Sequence, residues 1–214
     1  MALPKRQLPE PQIVARELGD RSAPHQLHPA LDLRPHEAQG LLDELADMDL
    51  ANACTPCEFD WLGLPSLALA PLEKLSMARQ RNALSHWLAA RTPLPDSDHW
   101  SGWQVLRDAS VDARPVWRLA NGELHRAGGR VWWLSGSWLR AAEPAPVWTD
   151  PASALLLPDN GSLSLSGQIP EGPLHVRYRQ GGEFMHLPGR GHRDLKRLLN
   201  ENAVPLFARG RLPL

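Results

Sequence analysis

The 214-residue sequence predicts an α+β protein: a small helical domain with a β-meander, followed by a small α+β C-terminal domain. Three observations carry the prediction. Apolar residues recur at three- and four-residue spacing through residues 38–106, as on one face of a helix. Two tight-turn pairs, Asn121-Gly122 and Gly128-Gly129, then separate short runs of strand character. Finally, an alternating run at 174–179 precedes Leu195, Leu198 and Leu199, a stripe at helical spacing.

Residues 1–36 carry Pro4, Pro9, Pro11, Pro24, Pro29 and Pro35 and are expected to be a weakly ordered N-terminal segment, with a short helix at 12–18. A domain at 37–143 opens with a helix whose inward stripe is Ala38, Leu41, Leu42, Leu45 and Met48, with Asp43, Glu44 and Asp47 opposite. A Pro-rich link from Thr55 to Pro71 leads to a second helix. Ser76 caps it, Met77, Leu84, Trp87 and Leu88 line its inward face, and Pro93 lies beyond its end. Ser97 or Asp98 caps a third helix, on which Trp100, Trp103 and Leu106 share a face. Strands at 115–120, 123–127 and 130–134 follow as a three-strand meander.

Pro144 and Pro146 mark the domain boundary, and the C-terminal α+β domain occupies 151–214. It is expected to hold a hairpin, 153–157 with 162–166, turning at Pro158-Asp159-Asn160-Gly161. The strand at 174–179 sets Val176 and Tyr178 against His175, Arg177 and Arg179, and a helix covers 193–201.

Hydrophobic residues at 43% and charged residues at 22% suit a packed soluble core. Proline, 21 of 214, is about twice the usual share and predicts short, interrupted elements. No signal-peptide apolar region and no apolar run of about 18 residues is present, so a soluble, cytoplasmic protein without a membrane partner is expected. Cys54 and Cys57 form a lone C-x-x-C, a spacing that serves redox chemistry or half a zinc site. Without a second pair they read as two reduced thiols, in keeping with a reducing compartment. The nine histidines match no metal-binding spacing, and no metal site is assigned. Of the nine tryptophans, Trp87, Trp100, Trp103, Trp117, Trp132 and Trp133 fall at core positions, whereas Trp61, Trp138 and Trp148 sit in loops.

Charge is unevenly spread. Residues 174–214 hold eight Lys/Arg against three acids, a net +5 within a chain of net −1, which points to a polyanionic partner. The densest stretch is Gly189-Arg190-Gly191-His192-Arg193-Asp194-Leu195-Lys196-Arg197. Glycines before a helix whose first turns bear Arg193, Lys196 and Arg197 suggest a phosphate site at the helix N-terminus, where N–H groups are unpaired. Arg190, Gly191 and His192 would complete it, with Arg177 and Arg179 flanking.

Three runs resemble the C-terminal domain of the tRNA(Ile)-lysidine synthetase family. They are His175-Val-Arg-Tyr-Arg-Gln-Gly-Gly-Glu183, then Gly189-x-Gly-His-Arg-Asp-Leu-Lys-Arg197, then Ala203-Val-Pro-Leu-Phe-Ala-Arg-Gly-Arg-Leu-Pro-Leu214. Upstream, Leu41-Leu-Asp-Glu-Leu-Ala46, Ala78-Arg-Gln-Arg-Asn-Ala-Leu-Ser-His-Trp-Leu-Ala89 and Val131-Trp-Trp133 are similar to the family's middle helical domain. The likeness covers residues 37–214. It implies a ligase that uses ATP to join lysine to the wobble cytidine of tRNA(Ile), with the C-terminal parts holding the tRNA; it adds Arg209 and Arg211 to the tRNA-binding candidates. The family's catalytic domain opens with S-G-G-x-D-S, a stretch these residues do not contain. The chain is therefore expected to be a piece of a longer protein and inactive alone, with no cofactor of its own and with ATP and Mg held by the catalytic domain. tRNA(Ile) is the expected partner, and a homodimer stays open. The alternative is a non-catalytic protein-interaction module that keeps the same fold, with the acidic helical half as its working surface.

Overall fold

The computed structural model describes residues 34–110, 113–187, 189 and 191–214. The expectations for the N-terminal segment up to residue 33, and for Arg190, lie outside the described residues. The elements are helices mixed with small antiparallel sheets, the α+β class that the sequence predicts.

Helix α1 spans Pro35–Ala53 and packs on α3, Met77–Ala89, but with a different face from the expected one. Ala46, Asp49, Leu50 and Ala53 are buried, whereas Leu41 and Met48 are 53% and 66% exposed. An ion pair selects the face. Arg79 of α3 donates Nε and Nη2 to the two oxygens of the buried Asp49 carboxylate, at 3.1 and 2.5 Å. A bidentate guanidinium–carboxylate contact satisfies a buried acid that a hydropathy pattern assigns to solvent. Further along, Asn82 Nδ2 donates to the Leu42 carbonyl at 2.7 Å, and His86 lies 3.2 Å from Asp47. Helix α3 starts at its expected cap, the Ser76 hydroxyl accepting the Arg79 N–H.

The link between these helices is not featureless. It holds a short strand, β1 Ser66–Ala68, and a five-residue helix, α2 Leu69–Glu73. The third predicted helix is α4, Ser101–Asp108, which starts after Trp100 without a side-chain cap. Gly102 sits where a Cβ would come within 2.3 Å of the Trp117 ring, so the helix reaches the sheet through that glycine. The meander forms as β2 Val116–Leu119, β3 Gly122–Ala127 and β4 Arg130–Leu134. Strand β1 joins antiparallel to β4 as a fourth strand, giving the order β1-β4-β3-β2.

One core forms between helices and sheet: Leu67, Leu124, Val131 and Trp133 meet Leu72, Leu84, Leu88, Trp103 and Leu106, all essentially inaccessible. Gln80 forms a polar knot within it, its Oε1 accepting from Trp103 Nε1 at 2.9 Å and from Arg107 Nη1 at 3.0 Å. The other face of β4 is covered from the far end of the chain. Phe207 lies 5.8 Å from Trp132, 5.7 Å from His125 and 6.4 Å from Trp138, ring centre to ring centre.

After residue 143 the strands are short. β5 Val147–Trp148 pairs with β8 Leu174–His175, and β6 Leu155–Leu156 pairs with β7 Ser162–Leu163 across the expected Pro158–Gly161 turn. The expected strand at 174–179 shortens to β8 plus a single bridge, Tyr178 to Pro213. A hairpin of β9 Phe184–Leu187 and β10 Gly191–Asp194 leads straight into α5 Leu195–Glu201, and α6 Leu206–Arg209 follows. Among the described residues, no helix is long and apolar enough to cross a membrane.

Candidate nucleic-acid interface

The basic stretch divides between two elements. The sequence predicts one helix from residue 193, but Arg193 lies on β10 opposite Met185, and His192 lies opposite His186 with the rings 5.2 Å apart. Gly189 and Gly191 both have positive φ, near +70°, and serve the hairpin rather than a helix entry. The helix starts at Leu195 because Asp194 caps it, its carboxylate accepting the Arg197 N–H at 3.1 Å. An anion from the chain itself thus holds the N-terminus that the sequence reading offered to phosphate, and α5 is only seven residues long.

What the geometry does create is an exposed edge. His192 and Arg193 on β10 and Lys196 and Arg197 on α5 are all solvent-facing, while Leu195 and Leu199 turn inward. Arg197 pairs with Glu201, Nε to Oε1 2.7 Å. Arg193 and Lys196 have no carboxylate partner among the described residues.

Arg177 and Arg179 have separate surroundings. The Arg177 backbone pairs with Leu214 in both directions, its N–H donating at 3.1 Å and its carbonyl accepting at 2.8 Å, and the side chain is exposed. Arg179 is half-buried, its Nε 3.6 Å from Glu183 Oε2. Glu183 anchors the turn into β9: its Oε1 accepts from the N–H groups of Gln180 and Gly181, at 2.5 and 2.7 Å. Gly181 and Gly182, both with positive φ, bring those donors round. Burial pushes the Glu183 carboxyl up, yet these N–H groups and the Arg179 charge hold it below the usual carboxylate range.

Arg209 and Arg211 are 8% and 6% exposed. Arg209 donates to the Val204 carbonyl at 2.8 Å and to Asn200 Oδ1 at 2.5 Å. Arg211 donates to the carbonyls of Ser137, Arg140 and Asp159 at 2.8, 3.0 and 2.6 Å, and to Asn160 Oδ1 at 3.1 Å. Burial lowers both guanidinium pKa values. Their donors are engaged internally, which sets them apart from Arg193 and Lys196.

Cys54 and Cys57 are free thiols, with Cys57 Sγ 3.2 Å from Asp60 Oδ1. No cluster of three metal-ligating side chains occurs among the described residues.

Two family models match this chain: the TilS substrate binding domain over residues 67–132 and the TilS substrate C-terminal domain over residues 174–214. The first coincides with the helix-and-sheet core, the second with β8 to the chain end. The chain is 68% identical over 178 residues to the tRNA(Ile)-lysidine synthase of Pseudomonas fluorescens (strain Pf0-1), covering 83% of this chain and 40% of that protein. It is 60% identical over 181 residues to the tRNA(Ile)-lysidine synthase of Pseudomonas aeruginosa, covering 83% and 41%. For the one from Xanthomonas campestris the identity is 36% over 155 residues, covering 70% and 35%. The chain thus spans about two fifths of the length of these relatives. Both matching models describe substrate domains of one class of tRNA-modifying ligase. The chain belongs to the tRNA(Ile)-lysidine synthetase family and corresponds to its middle helical and C-terminal domains.

Proposed function

We propose that these residues are the tRNA-holding part of a tRNA(Ile)-lysidine synthetase, the ligase that joins lysine to the wobble cytidine of tRNA(Ile) at the expense of ATP. ATP and magnesium belong, on this reading, to the catalytic part of the family's proteins. The exposed basic edge formed by β10 and α5 contacts the RNA backbone, chiefly through Arg193 and Lys196, with His192 and Arg197 beside them. The observation that carries this is the contrast in partners: Arg193 and Lys196 are exposed with no carboxylate neighbour among the described residues, whereas Arg209 and Arg211 are engaged by carbonyls. Side chains on an exposed hairpin and helix suit a duplex read by shape, phosphate and 2′-OH contacts.

The test is a mobility-shift titration of a tRNA(Ile) transcript at low salt, with a DNA duplex of equal length alongside. Wild type shifts the tRNA at lower protein concentration than the DNA, and the Arg193→Ala, Lys196→Ala double variant loses most of that affinity. A wild type that leaves tRNA unshifted while capturing a protein partner contradicts the proposal and favours an interaction module.

A further inference from the structure

A cleft of about 640 Å³ lies between the sheet strands β2 and β3 and the helices α5 and α6. Its polar lining is Arg114, His125, Arg126, Lys196, Asn200 and Arg209, and no aspartate or glutamate lines it among the described residues. Two of the cations are fixed. Arg126 Nη1 donates to the carbonyls of Arg107 and Ala109 at the end of α4, at 2.5 and 2.6 Å. Arg209 is held by Asn200 and Val204. Carbonyl and amide oxygens orient a guanidinium without cancelling its charge. Asp108, an acid within electrostatic reach of Arg126, is itself gripped by Arg107 at 2.6 and 2.7 Å. His125 pairs with Glu123 at 2.8 Å.

The other two cations face solvent. Arg114 and Lys196 are exposed and have no hydrogen-bonding or ionic partner among the described residues. Burial depresses the Arg209 guanidinium, and the nearby charges of Arg179 and Arg114 depress it further, as expected where positive potential accumulates. Two held and two solvent-facing cations around an open cleft, with no aspartate or glutamate among its described lining residues, fit a phosphate group, whose oxygens match guanidinium donors. Lys196 belongs to both the cleft and the exposed edge of α5, so a backbone lying on that edge passes the cleft mouth.

We propose that this cleft seats a phosphate of the bound RNA backbone between Arg114 and Lys196, extending the RNA surface from the C-terminal part onto the four-stranded sheet. The assignment rests on the tRNA-holding reading above.

It is tested on the full 214-residue chain with tRNA binding measured across a salt series for Arg114→Ala, Arg114→Lys and Arg118→Ala. Arg118 is an exposed arginine on β2 that does not line the cleft, which makes it the control for general charge loss. Arg114→Ala weakens tRNA binding several-fold and lowers the salt slope by just under one unit. Arg114→Lys retains the slope, and Arg118→Ala leaves slope and affinity unchanged. Wild-type affinity in a folded Arg114→Ala protein overturns the assignment and leaves the tRNA reading intact. Absence of tRNA binding by the wild type removes both. A parallel titration with inorganic pyrophosphate separates the phosphate sources: amide shifts at Arg114 and Lys196 with undiminished tRNA binding by Arg114→Ala mark a small-anion site and overturn the RNA assignment.

Discussion

Four arginines of the C-terminal segment look alike in a charge count but differ in their surroundings. Arg193 and Arg197 face solvent, whereas Arg209 and Arg211 turn into the protein and bind carbonyls. Short elements have too little periodicity to reveal this: α6 has four residues, and Arg211 follows it in a turn. The available clue was the apolar company of Arg209 and Arg211, between Leu206-Phe207-Ala208 and Leu212-Pro213. Removing the Arg211 side chain strands the carbonyls of Ser137, Arg140 and Asp159. Bonds from a charged donor are worth about 1.5–3 kcal/mol. Arg211→Ala is therefore expected to lose about 2–4 kcal/mol of stability, read from the urea midpoint, while the salt slope of tRNA binding stays at the wild-type value. A flattened slope in a protein of unchanged stability contradicts this division.

The elements of the helical half were legible where their signals were local. Asn121-Gly122 and Gly128-Gly129 set the meander to within a residue, and Ser76 caps α3 as its sequence suggests. The signals failed where a distant partner decides. The face of α1 is chosen by the Asp49–Arg79 pair across 30 positions, and β1 exists because β4 offers it an edge. Locally the R-x-R-x-G-G-E run at 177–183 offers an arginine pair, yet structurally it is a turn closed by Glu183. That turn predicts a pH dependence. The folded carboxyl titrates below its unfolded value, so its contribution is complete above the ordinary carboxylate range and is lost as pH falls through the folded value. Glu183→Ala should thus be less stable than wild type at neutral pH, with the gap narrowing as pH falls below the ordinary carboxylate range. Urea midpoints across that range check it, and a gap independent of pH rules out the charged turn.

At the scale of the whole molecule, order along the chain was legible and the tertiary joins were not. The α+β class and the succession of helices, meander and C-terminal part follow from local pattern, but Phe207 packing on Trp132 brings together residues 75 positions apart. We propose that 37–143 and 151–214 are two units joined around Glu143–Pro151, the stretch at Glu143–Val147 being mostly exposed. Limited proteolysis should cut there first, and the Phe207 and Arg211 contacts should keep the two pieces together on a sizing column until denaturant is added. Initial cutting inside either unit argues against that division. The central claim is that the basic edge of β10 and α5 grips RNA through phosphate, and counterion release makes it measurable. Log affinity falls with log salt by about 0.7–0.9 units per phosphate contact. The decisive measurement is the tRNA salt slope of wild type beside the Arg193→Ala, Lys196→Ala variant, with melting temperatures recorded on the same samples. The account predicts a slope shallower by about one and a half units in a variant of near-unchanged melting temperature, because both side chains are exposed. Equal slope and equal affinity in the folded variant contradict it.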